Sequence, residues 1–505
     1  MTATEVKLHW ATYRLFPYER DLALREVCAL LHPSRLLAGH AVVTLRTRAR
    51  SSAIQRLTYF SRAETSAGAI DIPQATIERG ALARSNGGAN RQATRYSVHG
   101  IHEYKGKFNP QVAKSLLNIL GFKPGFCILD PFCGSGTTLV ECAHAGLKSV
   151  GCDVNPVAVF VAQAKLLALA VPGMTVRILA ERIVSDAATA RPASAERDDA
   201  RLAYLKRWFP PGTLEQLEIL RRSIAKRAPK IECLFLTVAS DLLRDYSLQE
   251  PQDLRIRRRK TPMPDAAFFD VFLDRCNKLA ATLEAARPAI PRRLPECRVL
   301  LTDSRSLPDH PDLAPVGGFH GAITSPPYAT ALPYIDTQRL SLIWLGLAAP
   351  SEIPRLQADL IGSREFSGRQ RVEWQTRMEC NADAIPHALH RLCLCMNRSL
   401  APTDGFRRQA MPSLLYRYCV GMRSTLRSVA AVLRTKARFA LIVGHNHTVI
   451  GGRRFAIDTP GLLQALAVQT KMVVDERVAL QTYQRYGLHH KNAVTQEELL
   501  ILRKP

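Results

Sequence analysis

Residues 126–153 read FCILDPFCGSGTTLVECAHAGLKSVGCD, and the way they group decides the fold. Phe126 to Asp130 is a short apolar run ending in an acid, which suits a strand covered on both faces. A glycine-rich turn follows, and TLVECAHAGL has the length and apolar spacing of a helix. SVGCD repeats the first pattern and ends at Asp153. Strand, turn, helix and second strand in so short a stretch predict two parallel neighbours joined by a right-handed crossover.

Outward from there, NPVAVFVAQAKLLALAV reads as a second helix with Asn155 as its N-cap. Five more strands are expected: CRVLLTD (297–303), GAITSPPY (321–328), ARFALIVGHN (437–446), KMVVDERVAL (471–480) and EELLILRK (497–504). Helices are expected at 416–434 and 460–469. The expected fold class is therefore α/β, a Rossmann-like, mostly parallel seven-stranded sheet spread over 96–505. Its two halves, 96–170 and 297–505, flank a basic, largely helical insertion at 171–296. In residues 1–60, Leu24, Val27, Cys28 and Leu31 keep helical spacing and AVVTLRTR reads as a strand, which predicts a small α/β unit. Residues 61–95, rich in Ser, Ala, Gly, Asn and Arg, read as a linker.

The chain has 505 residues with 69 Lys and Arg against 44 Asp and Glu, a formal charge of +25, which favours polyanionic partners, nucleic acid first. The most apolar stretch, 154–174, is interrupted by Asn155, Gln163 and Lys165, so no membrane span is expected. MTATEVKLHW lacks the basic and apolar regions of a secretory signal, and a cytoplasmic location is expected. Twelve cysteines occur without a CxxC pair, and the His pairs at 445–447 and 489–490 lack an HExxH helix, so no metal is expected.

Asp130-Pro131-Phe132-Cys133-Gly134-Ser135-Gly136-Thr137-Thr138 falls where a doubly wound sheet holds a cofactor. Asp153, at the next strand end, is placed to accept hydrogen bonds from ribose hydroxyls. An acid before the turn makes a pyrophosphate a poor guest, whereas S-adenosylmethionine, with its amino acid and sulfonium, suits it. Ser325-Pro326-Pro327-Tyr328 follows another strand. The prolines give a rigid turn of acceptors, so Ser325 Oγ and the Pro326 carbonyl can hold the two N–H donors of an exocyclic amine while Tyr328 stacks on the base. A target base inside a duplex has to be flipped out first.

DPFCGSGTT with a downstream TSPPY resembles the DNA amino-methyltransferases, which methylate cytosine N4 or adenine N6 with S-adenosylmethionine. The resemblance covers about 100–170 and 297–505. It implies Phe108, in HEYKGKFNP, as a cofactor contact and Asp303 as an acid near the adenine ring. A serine at position 325 leans toward cytosine N4. The expected cofactor set is Phe108, Asp130, Pro131, Phe132, Gly134, Gly136, Thr137, Asp153 and Asp303, and the expected catalytic set is Ser325, Pro326, Pro327 and Tyr328. His445 and Asn446 stand where the family has a small residue and a hydroxyl, and they are given no catalytic role. The expected partners are double-stranded DNA and, functionally, a restriction endonuclease. Arg255, Arg257, Arg258, Arg259 and Lys260 are expected on phosphates, and a segment at 348–412 that includes Arg364 on target recognition. No Pro-Cys pair occurs, which argues against cytosine C5 chemistry. Alternatives are an RNA base-amine methyltransferase, with the N-terminal unit as an RNA-binding appendage, and a catalytically silent DNA-binding regulator.

Overall fold

The chain begins with a five-stranded antiparallel sheet: β1 (Thr4–Trp10), β2 (Arg35–Ala38), β3 (Val42–Thr47), β4 (Phe60–Thr65) and β5 (Gly68–Asp71), in the order β2-β3-β1-β4-β5. The structure, a computed structural model, describes residues 3–82, 92–104, 106, 108–191, 199–253, 256–313, 315, 317–329, 334–366, 368–481 and 496–505. β1 alternates as a half-buried strand should, with Val6, Leu8 and Trp10 inward and Glu5 and Lys7 outward. Inward residues pack with Leu22, Val27 and Leu31 of the helix Pro17–Leu31. The expected linker at 61–95 is corrected here. Residues 60–71 form a tight hairpin, with Arg62 opposite Asp71 and Thr65 opposite Gly68, and the helix Pro73–Leu82 follows. Only Phe60 and Ala63 of this hairpin are fully buried, so its composition is polar although its two strands pair in regular register.

The remaining strands are β6 (Cys127–Asp130), β7 (Lys148–Asp153), β8 (Cys297–Leu301), β9 (Phe319–Thr324), β10 (Leu433–Gly444), the hairpin β11 (Asn446–Ile450) and β12 (Arg453–Ile457), then β13 (Val473–Gln481) and β14 (Gln496–Arg503). Seven of them make the central sheet, in the order β13-β14-β10-β9-β6-β7-β8. Pairing is parallel from β10 through β9, β6 and β7 to β8, whereas β14 runs antiparallel to both of its neighbours. The fold is thus α/β with a seven-stranded, mostly parallel, Rossmann-like sheet.

Alternation along the strands feeds two cores. Ile128, Ile323, Ala440, Ile442, Leu499 and Ile501 face the helix Pro110–Ile119 and the N-terminal unit. Leu129, Ala322, Phe439, Leu441, Leu500 and Leu502 face the helices Met411–Val432 and Thr459–Gln469. Such two-sided burial explains why these strands read as near-continuous apolar runs. The 171–296 region holds the helices Gly173–Thr189, Pro211–Arg227, Glu232–Leu242 and Phe268–Ala286, which share a core with Val157 and Val161 of the helix Pro156–Ala168 and with Trp344. It is a packed helical layer with its charge on the outside. Among the described residues no single helix is long and apolar enough to cross a membrane.

Candidate active site

The order in which strands are added reverses between β6 and β9. The chain leaves β6 toward β7 and β8, then returns to the other side through β9, and the carboxyl ends at such a switch point open a crevice. A cleft lies there, lined by residues from the ends of β6, β7, β8 and β9. Asp130 and Thr324 end the two strands, and the Thr324 hydroxyl donates to Asp130 Oδ1 at 2.6 Å. The Phe132 N–H donates to the same oxygen at 3.2 Å. Burial of Asp130 pushes its carboxyl up to about 6. It lies behind the cleft wall and braces the glycine turn against β9.

Of the residues expected to hold a cofactor, Pro131, Phe132, Gly134, Asp153 and Asp303 line the cleft. Asp153 Oδ2 accepts the Gly134 N–H and its Oδ1 the Asn155 N–H, each at 2.9 Å, so each oxygen keeps a lone pair for a hydroxyl. Desolvation pushes this carboxyl up to about 6. Gly134 has φ +48, and a Cβ on it would lie 3.3 Å from the Tyr104 ring, so the turn approaches the aromatic as bare backbone. Asp153, Asp303 and Asp359 line the cleft, and among the described residues no lysine or arginine does. That donor set repels phosphate and suits a cationic ligand with a ribose, which fits S-adenosylmethionine. The Asp303 carboxylate is bridged by Arg305, whose Nε lies 2.9 Å from each oxygen, and it also accepts the Arg305 N–H at 2.8 Å.

Ser325 and Pro327 line the same cleft, whereas Pro326 and Tyr328 do not. Pro326 is buried, and the Tyr328 hydroxyl donates to Glu497 Oε1 on β14 at 2.9 Å. The segment Asp359-Leu360-Ile361 completes the wall. Gly362, at φ +79, is required there, because a Cβ would come within 2.8 Å of the Tyr328 carbonyl oxygen. Arg417 secures this segment by donating to the Ser363 carbonyl at 2.7 Å. Asn446 was passed over by sequence reasoning, yet its Nδ2 donates to the Ala329 carbonyl, one residue beyond Tyr328.

Several expectations are corrected. Phe108 packs into the core shared with the N-terminal unit, and the aromatic in the cleft is Tyr104 of the same HEYKGKFNP run. Gly136 and Thr137 open the helix Thr137–His144 away from the cleft lining, with Thr137 buried. Arg259 is half-buried and turned onto its own loop: it donates to the carbonyls of Asp245 (2.6 Å), Ser247 (2.7 Å) and Thr261 (3.1 Å). Arg258 lies 4.7 Å over the Trp208 ring and donates to the Arg207 carbonyl at 2.7 Å. Arg257, paired with Asp253 at 3.1 Å, and Lys260 are exposed, Arg364 is half-buried, and Arg255 lies outside the described residues. Tyr104, Asn155 and Asp359 were missed. The first two sit beside residues that were chosen, whereas nothing in the sequence signals Asp359.

His445, Asp458 and Glu498 come close enough for a shared ion, but Arg477 already bridges the two carboxylates, and His445 Nε2 lies 2.7 Å from Glu498. The arrangement is an ion-pair network that ties the end of β10 to β13 and β14.

Ser325 and Pro327 on one side and Asp153 on the other therefore share one cleft at the carboxyl ends of a doubly wound sheet. Residues 81–164 match the N6/N4 methyltransferase family described as DNA methylase. The chain is 51% identical over 69 residues to the Type II methyltransferase M.MjaII of Methanocaldococcus jannaschii, a match spanning 14% of this chain and 13% of that protein. It is 42% identical over 52 residues to the tRNA (guanine(10)-N2)-dimethyltransferase of Methanothermobacter thermautotrophicus, spanning 10% of this chain and 16% of that one. Both matches thus cover less than a fifth of the relative's length. TrmN from Thermus thermophilus superposes with a TM-score of 0.34 at 11% identity, covering 99% of this chain and 100% of that one, a likeness too loose to bear on substrate or site.

Proposed function

We propose that the chain methylates an exocyclic amine of a base in duplex DNA, cytosine N4, with S-adenosylmethionine as donor. The observation that carries this is the sharing of one cleft by Asp153 and by Ser325 and Pro327. When bound, the cofactor supplies an electrophilic methyl group. Asp153 would accept the ribose hydroxyls, and Tyr104 over Gly134 would close the wall around its bound end. Ser325 Oγ and the Pro326 carbonyl would accept the two amine N–H bonds, which localises the nitrogen lone pair and aims it along the cleft. The amine nitrogen would attack the methyl carbon as the methyl–sulfur bond breaks, leaving a neutral thioether, and its proton would pass to water, so no enzyme nucleophile is needed. The Asp130–Thr324 bond sets the distance between the two half-sites.

The tRNA-modifying relative supports a second reading, an RNA base amine as acceptor. Ser325 supports the DNA reading, since enzymes of the RNA type more often carry Asn or Asp at that position. The Type II relatives support a role as the modification partner of a restriction endonuclease. Incubating the protein with methyl-tritiated cofactor and, in parallel, duplex DNA or bulk tRNA, then digesting to nucleosides, tests the proposal. Label in N4-methylcytosine is expected. Label only in tRNA, or only in 5-methylcytosine, overturns it.

A further inference from the structure

The hairpin β11–β12 grows directly from the end of β10, beside the catalytic turn, and its two faces differ. Ile450, Phe455 and Ile457 are buried in the core below it. On the other face His447 pairs across from Ala456 and Val449 from Arg454, and all four are exposed. Residues 445–457 contain no acid. The turn of the hairpin is fixed to a second exposed segment: Asp404, 5% exposed, accepts the Gly451 N–H at 2.8 Å and the Ala401 N–H at 3.0 Å. That segment presents Phe406, 65% exposed, with the Arg371 guanidinium 5.2 Å over its ring and Arg407 beside it.

We infer that this ribbon and the Phe406 loop form the surface that reads duplex DNA, a proposal that rests on the DNA reading above. A two-stranded ribbon fits the major groove of B-form DNA, where Arg454 and His447 can donate to base edges and Val449 can meet a thymine methyl. Its freedom from acid suits a polyanion and disfavours a basic protein surface. The deep, narrow major groove of A-form RNA does not admit such a ribbon, so duplex DNA is the occupant the shape selects. At its base Asn446 grips the Ala329 carbonyl behind Tyr328, so the ribbon is tied to the turn that receives the base. Sequence reasoning placed target recognition within 348–412. The structure adds a segment some forty residues further on, joined to it through the buried Asp404.

The test compares wild type with His447→Ala/Arg454→Ala on a pool of random-sequence duplexes, with modified positions read by single-molecule sequencing. The expected result is a wild-type consensus that the double variant loses at one or two positions, with discrimination there falling at least about tenfold. Melting temperature and cofactor affinity should stay at wild-type values, and Arg454→Gln alone carries the same test should the double variant melt early. An unchanged consensus with unchanged rates overturns the ribbon while leaving the DNA reading intact. Modification of tRNA but of no duplex overturns both.

Discussion

Arg257 and Arg259 are two residues apart and do different work. Arg259 satisfies three backbone carbonyls of its own loop, and an acceptor that loses its donor in a half-buried setting costs about 1–3 kcal/mol. Arg257 is exposed and pairs with Asp253, a pair worth little in water. Arg259→Ala should therefore lower the melting temperature and leave the salt dependence of duplex binding per folded molecule unchanged. Arg257→Ala should melt like wild type and flatten the slope of log affinity against log salt by about one unit, the signature of one lost phosphate contact. Calorimetry and titrations at several salt concentrations measure both. An Arg257→Ala slope equal to wild type would remove this loop from the DNA surface.

Among the elements, the helix Pro110–Ile119 joins the N-terminal unit to the sheet. Asn118 Nδ2 donates to Glu26 Oε1 at 2.7 Å, and its Oδ1 accepts from Arg56 at 2.8 Å, while Thr58 also donates to Glu26 through its hydroxyl at 2.6 Å. Asn118→Ala strips one donor from a fully buried carboxylate and one acceptor from an arginine. Stability should fall by about 1–3 kcal/mol in chemical denaturation with cofactor affinity unchanged. A variant as stable as wild type would mean the seam is held by apolar packing alone. No such seam is legible in the sequence, because its partners lie up to 92 residues apart. The seven sheet strands were legible because burial on both faces makes each an apolar run with a polar end. β4 and β5 were not, since a short hairpin with two fully buried residues has no period to detect. The cleft was half legible. Asp153 and Ser325 sit at strand ends, where the fold dictates a ligand, but Asp359 reaches the cleft from a loop whose path only the packing of Gly362 on Tyr328 decides.

At the scale of the whole molecule, charge enters twice: as the +25 surplus on the surface and as carboxyls taken inside. Glu19 and Glu78 are buried near Gln92, Gln74, Gln111 and Lys114, and desolvation pushes each carboxyl from 4.5 up to about 7. Two amides donate to Glu78 Oε1, Gln74 at 2.7 Å and Gln111 at 3.0 Å, too little to repay its desolvation. A carboxyl whose folded value is raised binds its proton more tightly in the folded state. Its stabilising contribution is complete below the unfolded value of 4.5 and is lost as pH rises through 7. Each group therefore contributes a decline of up to about 3 kcal/mol between pH 4.5 and 8. Asp130 and Asp153, raised to about 6, decline over the lower part of the same window. Glu141 is the counterweight, because His99 and His144 hold it far below the usual range and its contribution is lost only in acid, outside this window. Unfolding in urea at half-unit steps from pH 5 to 8 should show wild-type stability falling with rising pH, and Glu19→Gln/Glu78→Gln should take most of the slope away, gaining on wild type above pH 7. A double variant that keeps the wild-type slope would show that these two carboxyls ionise in the folded protein as they do in water.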